Sequence, residues 1–159
     1  MPNPPPEGTP MNITTMYCGS DHAGLGLKHL CIRHLHNQGW TCTDLGTTSE
    51  ASCDYPVFAA EVCRTVQTKG QLGLLICGTG LGMSMTANRF SSIRAALCTN
   101  EYMARMARMH NNANILCLGA RVVGDDVALA ILDVFVRTGF EQGRHQKRVE
   151  LIDSVAGQG

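Results

Sequence analysis

The chain has 159 residues, of which 44% are hydrophobic and 16% are charged, and its formal net charge at pH 7 is zero. This length and composition are typical of one folded domain with a sizeable core. A balanced charge argues against a protein that coats nucleic acid or an anionic membrane, since both need a positive field. The sequence has no apolar stretch of membrane-spanning length and no signal pattern, so we expect a cytoplasmic protein with no nucleic-acid or membrane partner.

Eight cysteines are spread over the chain, and most of them lie inside apolar segments. They form no CxxC pair, and the histidines and cysteines show no paired ligand spacing. This pattern favours reduced thiols over a secreted disulfide scaffold, and it argues against a zinc site. We therefore expect no bound metal.

Strands and helices alternate along the chain after a proline-rich start. Residues 1–10 are predicted to be a disordered lead-in, and residues 11–159 a single domain. The predicted strands are residues 12–18, 40–45, 72–76, 92–98 and 113–118. The predicted helices are residues 25–38, 54–69, 83–90, 100–110, 124–138 and 144–155. This alternation predicts a single-domain α/β fold, a doubly wound (Rossmann-like) five-stranded parallel sheet flanked by helices, with ligands at the carboxyl ends of the strands.

A glycine-rich loop follows the third predicted strand, in the sequence ICGTGLG at residues 76–82. Glycines at alternate positions between a strand and a helix let backbone N–H groups approach a bound anion. Cys77 lies at the strand tip beside this loop, and a nearby helix N-terminus favours a reactive thiolate. A buried thiol in an apolar run is also common without any function.

The loop matches neither of the common nucleotide-binding motifs. A dinucleotide fingerprint would place its third glycine at position 83, where this chain has Met83. The fingerprint also follows the first strand of a fold, whereas this loop follows the third predicted one. No GxxxxGK[ST] phosphate loop occurs in the chain, so we expect no nucleotide cofactor.

Two pairs of polar residues near element ends allow a structural and a functional interpretation. Asp21 and His22 follow the first predicted strand. Asp21 can cap the next helix, but an adjacent histidine at a second strand tip of the same sheet favours a polar pocket. His110 and Asn111 end a helix, where the helix dipole and a left-handed turn explain them without any function.

Arg144 and Arg148 lie in a basic stretch of an otherwise neutral chain. They are four residues apart and therefore share one face of the last predicted helix. There they can clamp a phosphate, or they can simply face the solvent. Arg121, shortly after the fifth predicted strand, is a further cation in the same half of the chain.

Several segments together resemble the type B ribose-5-phosphate isomerases, which are relatives of the galactose-6-phosphate isomerases. The matching segments are GSDHAG (19–24), DYP (54–56), ICGTGLGMS (76–84), TAN (86–88, with Thr86 in place of an alanine), IRAALC (93–98), RMHNNAN (108–114), GARVVG (119–124) and GRHQKRVELI (143–152). They span nearly the whole chain after residue 11. Each segment alone is common, but their combination is specific to this family.

The resemblance implies both an activity and an assembly. The implied activity is the interconversion of D-ribose 5-phosphate and D-ribulose 5-phosphate through an enediolate, in the non-oxidative branch of the pentose phosphate pathway. No metal or other cofactor takes part. The implied assembly is a homodimer, sometimes paired into a tetramer, in which each active site is built from both subunits.

The resemblance also implies four catalytic residues. Cys77 is expected to be the base that moves a proton between C2 and C1 of the sugar phosphate. His110 is expected to assist opening of the furanose ring, with Thr79 nearby, and Asp21 to contact the reacting hydroxyls. Some members of the family use a carboxylate base at the position of Met83, which cannot act as a base, so the chain is expected to belong to the cysteine branch.

The remaining implied roles concern substrate binding. His22 is expected to contact the phosphate, and the loop amides to stabilise the enediolate oxygen. The full set of implied substrate contacts is Asp21, His22, Tyr55, Gly78, Thr79, Gly80, Leu81, Gly82, Asn111, Arg121, Arg144 and Arg148.

Three alternatives stay open at this point. The enzyme can act on a related sugar phosphate, namely allose 6-phosphate, galactose 6-phosphate or a tetrulose phosphate. A six-carbon sugar would need more room near residues 46–54 and the glycine loop. The chain can also be a non-catalytic sugar-phosphate-binding module, although intact Asp21, Cys77 and His110 argue against it. In the third alternative, Cys77 is a redox-sensing thiol without a resolving cysteine nearby in sequence.

Overall fold

The structure is a computed structural model and describes residues 14–155. The predicted lead-in, residues 1–10, lies outside the described residues. The elements in chain order are β1 (Thr15–Ser20), α1 (Leu25–Asn37), β2 (Thr41–Asp44), α2 (Tyr55–Lys69), β3 (Leu72–Cys77), α3 (Leu81–Ala87), β4 (Ala95–Leu97), α4 (Glu101–Asn111), β5 (Ile115–Gly119), α5 (Asp125–Arg137) and α6 (Arg144–Val155). None of these helices has the length and apolar character needed to cross a bilayer.

The five strands form one parallel sheet in the order β2-β1-β3-β5-β4. The chain builds outward from β1 to β2, and it then returns to β3 to build the other half of the sheet. Open α/β sheets bind ligands at such a reversal of strand order, outside the carboxyl ends of the strands. The reversal lies between β1 and β3, and the predicted fold class is confirmed.

The central strand β3 is buried along its whole length because helices cover both faces of the sheet. Leu74 and Ile76 pack on one face, in a core shared with α1, α4 and α5. Leu75 and Cys77 pack on the other face, in a core shared with α2 and α3. The alternation of side chains along the strand therefore places Cys77 at the carboxyl edge, on the side of the sheet that α3 covers.

One buried charge fixes the loop that follows β2. The Lys28 side chain is fully buried, and its Nζ donates to Asp44 Oδ1 at 2.8 Å and to the Thr47 carbonyl at 2.6 Å. A side chain at Gly46 would not fit, because its Cβ would lie 2.8 Å from the Lys28 Nζ and 2.5 Å from the Ser20 backbone nitrogen. The loop is thereby packed against the end of β1, beside the strand reversal.

Most element boundaries differ from the sequence prediction by one to three residues, and two of these differences have a clear local cause. Strand β4 is three residues long rather than the predicted seven, because Ser92 has a φ of 61° and the Ile93 N–H donates to the Phe90 carbonyl, which makes a turn. Helix α3 begins at Leu81, two residues before its predicted start, because Gly80 turns the chain directly into the helix with a φ of 80°.

All eight cysteines lie in the described part of the chain, and all are free thiols. Six of them are buried. Burial raises the pKa of Cys31 and of Cys63 to about 12, and that of Cys98 to about 11. These thiols pack as small apolar side chains and stay protonated at neutral pH.

Candidate active site

The turn after β3 places a thiol beneath a backbone donor. The Gly80 N–H donates to Cys77 Sγ at 3.1 Å, and the Cys77 side chain is buried. A backbone donor at this distance stabilises negative charge on the sulfur. Only a glycine fits at position 80, because an added Cβ would lie 2.5 Å from Leu97 Cδ1 and the φ of 80° is strained for other residues.

The glycine loop is packed closely against β5 and the residues that follow it. Thr79 is exposed at the loop tip, where its Oγ1 accepts from the Leu81 N–H at 3.2 Å. A Cβ on Gly119 would lie 2.5 Å from the Thr79 carbonyl oxygen. The Arg121 N–H donates to the Gly78 carbonyl at 2.9 Å, and the Arg121 guanidinium lies over the same glycine. The loop therefore carries a cation at its rim.

The end of β1 supplies a carboxylate and an imidazole to the same edge. The Asp21 N–H donates to the Ile76 carbonyl at 3.3 Å, and its Oδ1 accepts from the Gly24 N–H at 3.1 Å. Asp21 thus closes the turn that precedes α1, but it does not cap the helix, because the N-cap of α1 is Gly24 and no side chain donates or accepts a capping hydrogen bond there. His22 Nδ1 accepts from the Cys53 N–H at 3.2 Å. A neutral His22 therefore carries its proton on Nε2, which can donate to an anion.

Tyr55 borders the glycine loop from the start of α2. A Cβ at Gly82 would clash with the Tyr55 ring, so the ring packs directly on that glycine. Together these residues surround the carboxyl ends of β1 and β3. We call them the strand-end cluster: Asp21, His22, Tyr55, residues 77–82 and Arg121.

His110 and Asn111 lie at the opposite edge of the sheet. Helix α4 runs back across the sheet, from Asn100 after β4 to Asn112 before β5, so its last turn lies at the amino ends of the strands. A six-residue strand such as β3 spans about 17 Å. Within one chain, His110 therefore does not reach Cys77.

Helix α6 begins at that same edge. The Glu141 N–H donates to the Met109 carbonyl at 3.0 Å, which ties the segment before α6 to the end of α4. Arg144 and Arg148 are both exposed. We call the group at this edge the helix-end cluster: His110, Asn111, Glu141, Arg144, His145 and Arg148.

The His110 and His145 rings stack inside the helix-end cluster. Their centroids lie 4.1 Å apart and their planes differ by 10°. Glu141 Oε2 lies 3.7 Å from His110 Nε2 and 3.3 Å from His145 Nε2. Burial lowers the pKa of His145, and the neighbouring His110, Arg144 and Arg148 lower it further, against the opposing effect of Glu141.

Comparison with known proteins identifies the family. Residues 16–152 match the family described as Ribose/Galactose Isomerase. The chain belongs to this family. Ribose-5-phosphate isomerase B of Escherichia coli (strain K12) is 44% identical to it over 139 residues, which cover 86% of this chain and 93% of that protein.

Solved structures of family members superpose on nearly the whole chain. Ribose-5-phosphate isomerase B of Clostridium thermocellum superposes with a TM-score of 0.89 at 46% identity, covering 91% of this chain and 98% of that one. The enzyme of Mycoplasma genitalium with bound ribulose-5-phosphate superposes with a TM-score of 0.88 at 40% identity, covering 91% and 97%. The resemblance to the family that the sequence segments indicate is confirmed.

The structure brings together only part of the residues expected from the family. The strand-end cluster contains Cys77, Thr79, Asp21 and the other expected contacts at that edge. Four expected residues lie instead in the helix-end cluster, namely His110, Asn111, Arg144 and Arg148. One chain therefore carries two incomplete halves of the expected site, at opposite edges of the sheet.

The residues that support the expected site residues could not be predicted from the sequence. Cys53 donates to His22 from 31 positions away, so no local pattern could have shown this contact. Glu141 and His145 are four residues apart and flank His110, Glu141 from the segment before α6 and His145 from the first turn of α6. The spacing of the two residues is visible in the sequence, but their relation to the site follows only from their contacts with His110.

His110, Glu141 and His145 are the kinds of residue that bind zinc, and their donor atoms all lie within 4.8 Å of one another. The two rings are nearly parallel, however, whereas a metal bound to an imidazole lies in the ring plane. A metal shared by both rings would lie well out of each plane unless a ring turned. The arrangement therefore suits proton exchange better than metal binding, and the absence of a metal stays a prediction.

Proposed function

We propose that this chain is a ribose-5-phosphate isomerase, formed by a single domain over residues 11–159. The observation that carries the proposal is the Cys77 thiol under the Gly80 N–H, at the edge of the sheet where the strand order reverses. Family membership supports it, since relatives that cover this chain almost completely bear that name. The free cysteines suit a reducing compartment, and we place the enzyme in the cytoplasm.

The proposed chemistry needs a base and donors that stabilise an enediolate. Cys77 removes the proton from C2 of the open-chain aldose, while the carbonyl oxygen at C1 takes up a proton. Cys77 then returns a proton to C1 as the hydroxyl at C2 loses its own, which gives the ketose. Of the amides of residues 78–82, the Gly80 N–H donates to Cys77 and the Leu81 N–H to Thr79, so the others are left to stabilise the developing charge, while Asp21 contacts the reacting hydroxyls. Met83, fully buried below the loop, has no group that could replace Cys77.

The second half of the site comes from a second copy of the chain in this proposal. Among residues 14–155, Arg121, Arg144 and Arg148 have no carboxylate within 4.0 Å, so their charges are available to a phosphate. His22 and Arg121 would bind the phosphate from one subunit. Arg144 of the partner subunit and Arg148 of the partner subunit would bind it from the other, with His110 of the partner subunit beside the sugar ring.

Exposed apolar side chains support the pairing of two copies at the strand-end cluster. Leu81 and Met85 of α3 and Val57 of α2 are exposed next to the glycine loop. Contiguous apolar surface of this kind marks an interaction site. We therefore propose a homodimer with shared active sites, which can pair further into a tetramer.

The test of the proposal is an assay of ribose 5-phosphate conversion, with allose 6-phosphate in parallel and without added metal. We expect turnover of the pentose that is lost in Cys77→Ala, while circular dichroism and the Tm stay close to those of the parent chain. Cys63→Ala is the matched control, because Cys63 is equally buried but lies in α2, away from the loop.

Each other outcome has a definite meaning. An active Cys77→Ala variant would remove Cys77 as the base. Turnover of the hexose alone would keep the mechanism and change the substrate. Tight binding of both sugars without turnover would make the chain a non-catalytic binding module.

A further inference from the structure

We infer that Glu141 and His145 are positioning residues for His110: His145 fixes the plane of the His110 ring, and Glu141 stabilises its protonated form. This inference rests on the role in ring opening proposed for His110. It gives a function to two residues of the helix-end cluster that have no expected contact with the sugar.

The stack has one fixed ring and one accessible ring. His145 is 4% exposed and lies in the first turn of α6, whereas His110 is half-buried. Helix α6 is itself anchored, because Arg94 NH1 donates to both Asp153 carboxylate oxygens at 2.9 and 3.0 Å. His145 is therefore a rigid surface against which the His110 ring lies. The His110 ring is already restricted before a sugar binds, so it loses less rotational freedom on binding than an unstacked ring would.

The charges around the pair disfavour protonation of both rings at once, and they disfavour a charge on His145 in particular. Two protonated rings 4.1 Å apart would repel each other. Arg144 Nε lies 3.5 Å from His145 Nε2, and Arg148 is on the same helix, so the cations of α6 disfavour a charge on His145. The Glu141 carboxylate contacts both rings, at 3.3 Å from His145 Nε2 and 3.7 Å from His110 Nε2, but only His110 also lies in the last turn of α4, where the helix dipole favours a cation.

A protonated His110 suits the step proposed for it. Opening a furanose requires a proton donor to the ring oxygen as the hemiacetal hydroxyl loses its proton. The Glu141 backbone is fixed by its N–H bond to the Met109 carbonyl, and its carboxylate contacts both rings. In this inference it acts on the sugar through His110.

The test compares Glu141→Gln with the parent enzyme on two substrates, over a pH range of about 5.5 to 8.5. One substrate is ribose 5-phosphate, and the other is a tetrose 4-phosphate, which cannot form a furanose ring. We expect kcat for ribose 5-phosphate to fall by about tenfold with little change in KM, because the acid is weakened and not the binding. The optimum should move to lower pH, and turnover of the tetrose should be unchanged.

Matched variants separate positioning from a merely structural role. Glu141→Asp should recover part of the lost kcat. Glu150→Gln should change nothing, because Glu150 lies on the exposed face of α6, where its carboxylate accepts a hydrogen bond from Gln146 Nε2. His145→Phe keeps a flat ring and should retain more activity on ribose 5-phosphate than His145→Ala, provided that both variants melt like the parent.

The outcomes distinguish this inference from the proposed function. Equal losses on both substrates, or an unshifted optimum in Glu141→Gln, would overturn the positioning role while leaving the isomerase intact. A parent enzyme that turns over neither substrate would overturn the proposed function, and this inference with it.

Discussion

Gly80 has a left-handed backbone conformation and lies in close contact with its neighbours, and no other residue type can satisfy both conditions. Its φ is 80°, and an added Cβ would meet Leu97 at 2.5 Å and the Leu118 backbone at 3.0 Å. The N–H that this conformation presents is the one that donates to Cys77. The geometry of the proposed base therefore depends on the absence of a side chain at position 80, three residues after Cys77.

Replacement of Gly80 by alanine should cost more stability than the same replacement at Gly70. Gly70 ends α2 with a φ of 68°, but an added Cβ there meets nothing within 4 Å. Gly70→Ala should cost about 1 kcal/mol from backbone strain alone. Gly80→Ala should cost a further 1 to 3 kcal/mol, roughly, from crowding. Urea unfolding measures both values.

Activity should separate the same two variants further. Gly80→Ala should lose most of its isomerase activity, because the donor to Cys77 moves, whereas Gly70→Ala should keep it. Equal stability losses in the two variants would mean that Leu97 and Leu118 shift to make room for the added Cβ without lowering the free energy of unfolding.

Single residues of the site could be predicted from the sequence where they follow a strand. Cys77, Asp21 and His22 lie at the predicted edge, because the carboxyl ends of parallel strands share one edge. The contacts of these residues could not be predicted. The Tyr55 ring on Gly82 and the Cys53 bond to His22 depend on the path of a loop, which no periodicity encodes.

The Lys28 side chain of α1 holds the loop that follows β2. Its ammonium joins Asp44 at the end of β2 to the Thr47 carbonyl, and the loop then continues to Cys53, which donates to His22. A residue buried in a helix thus determines the position of an imidazole expected to bind phosphate.

Lys28→Met should destabilise the protein and weaken substrate binding. Removing one partner of a buried pair costs roughly 3 to 5 kcal/mol. Asp44 is about one-third exposed and can regain water, so we expect about 2 to 3 kcal/mol by urea unfolding. KM for ribose 5-phosphate should rise, because the loop that orients His22 loses its anchor.

The control for Lys28→Met is Lys69→Met, which removes an exposed ammonium at the end of α2. It should change stability by less than about 0.5 kcal/mol. An unchanged KM in a folded Lys28→Met variant would show that the loop is positioned without the ion pair.

The boundaries of a strand could be predicted from the sequence where helices cover both faces of the strand. Strand β3 forms a continuous apolar run, and its observed range differs from the predicted one by a single residue. Strand β4, at the edge of the sheet, pairs with one neighbour only, and its three residues are too few for any periodic signal. The turn at Ser92 could not be predicted, because it needs a positive φ and serine rarely adopts one.

The placement of two half-sites at opposite edges of one chain predicts complementation between inactive variants. In the proposed homodimer, a chain with Cys77→Ala and a chain with His110→Ala share one intact site between them. Random mixing should place about one-quarter of all sites in intact form, because half of the dimers are mixed and each has one good site. Co-expression of the two variants with different tags, followed by an assay of the mixed dimer, measures this.

A mixture of Cys77→Ala with Asp21→Ala is the matched control for this experiment. Both residues lie in the strand-end cluster, so each site of a mixed dimer should still carry one lesion. Recovery in this control, or no recovery in the first mixture, would contradict a site shared between subunits.

In the proposed homodimer, the two clusters of one active site belong to different chains, because the sheet separates them within each chain. A sugar phosphate that contacts both clusters bridges two chains, so its binding free energy also opposes their separation. By mass action, substrate would then shift the equilibrium from free chains toward the assembly. Dilution of the enzyme and depletion of its sugar would act in the same direction, and the concentration of active sites would follow the supply of the metabolite.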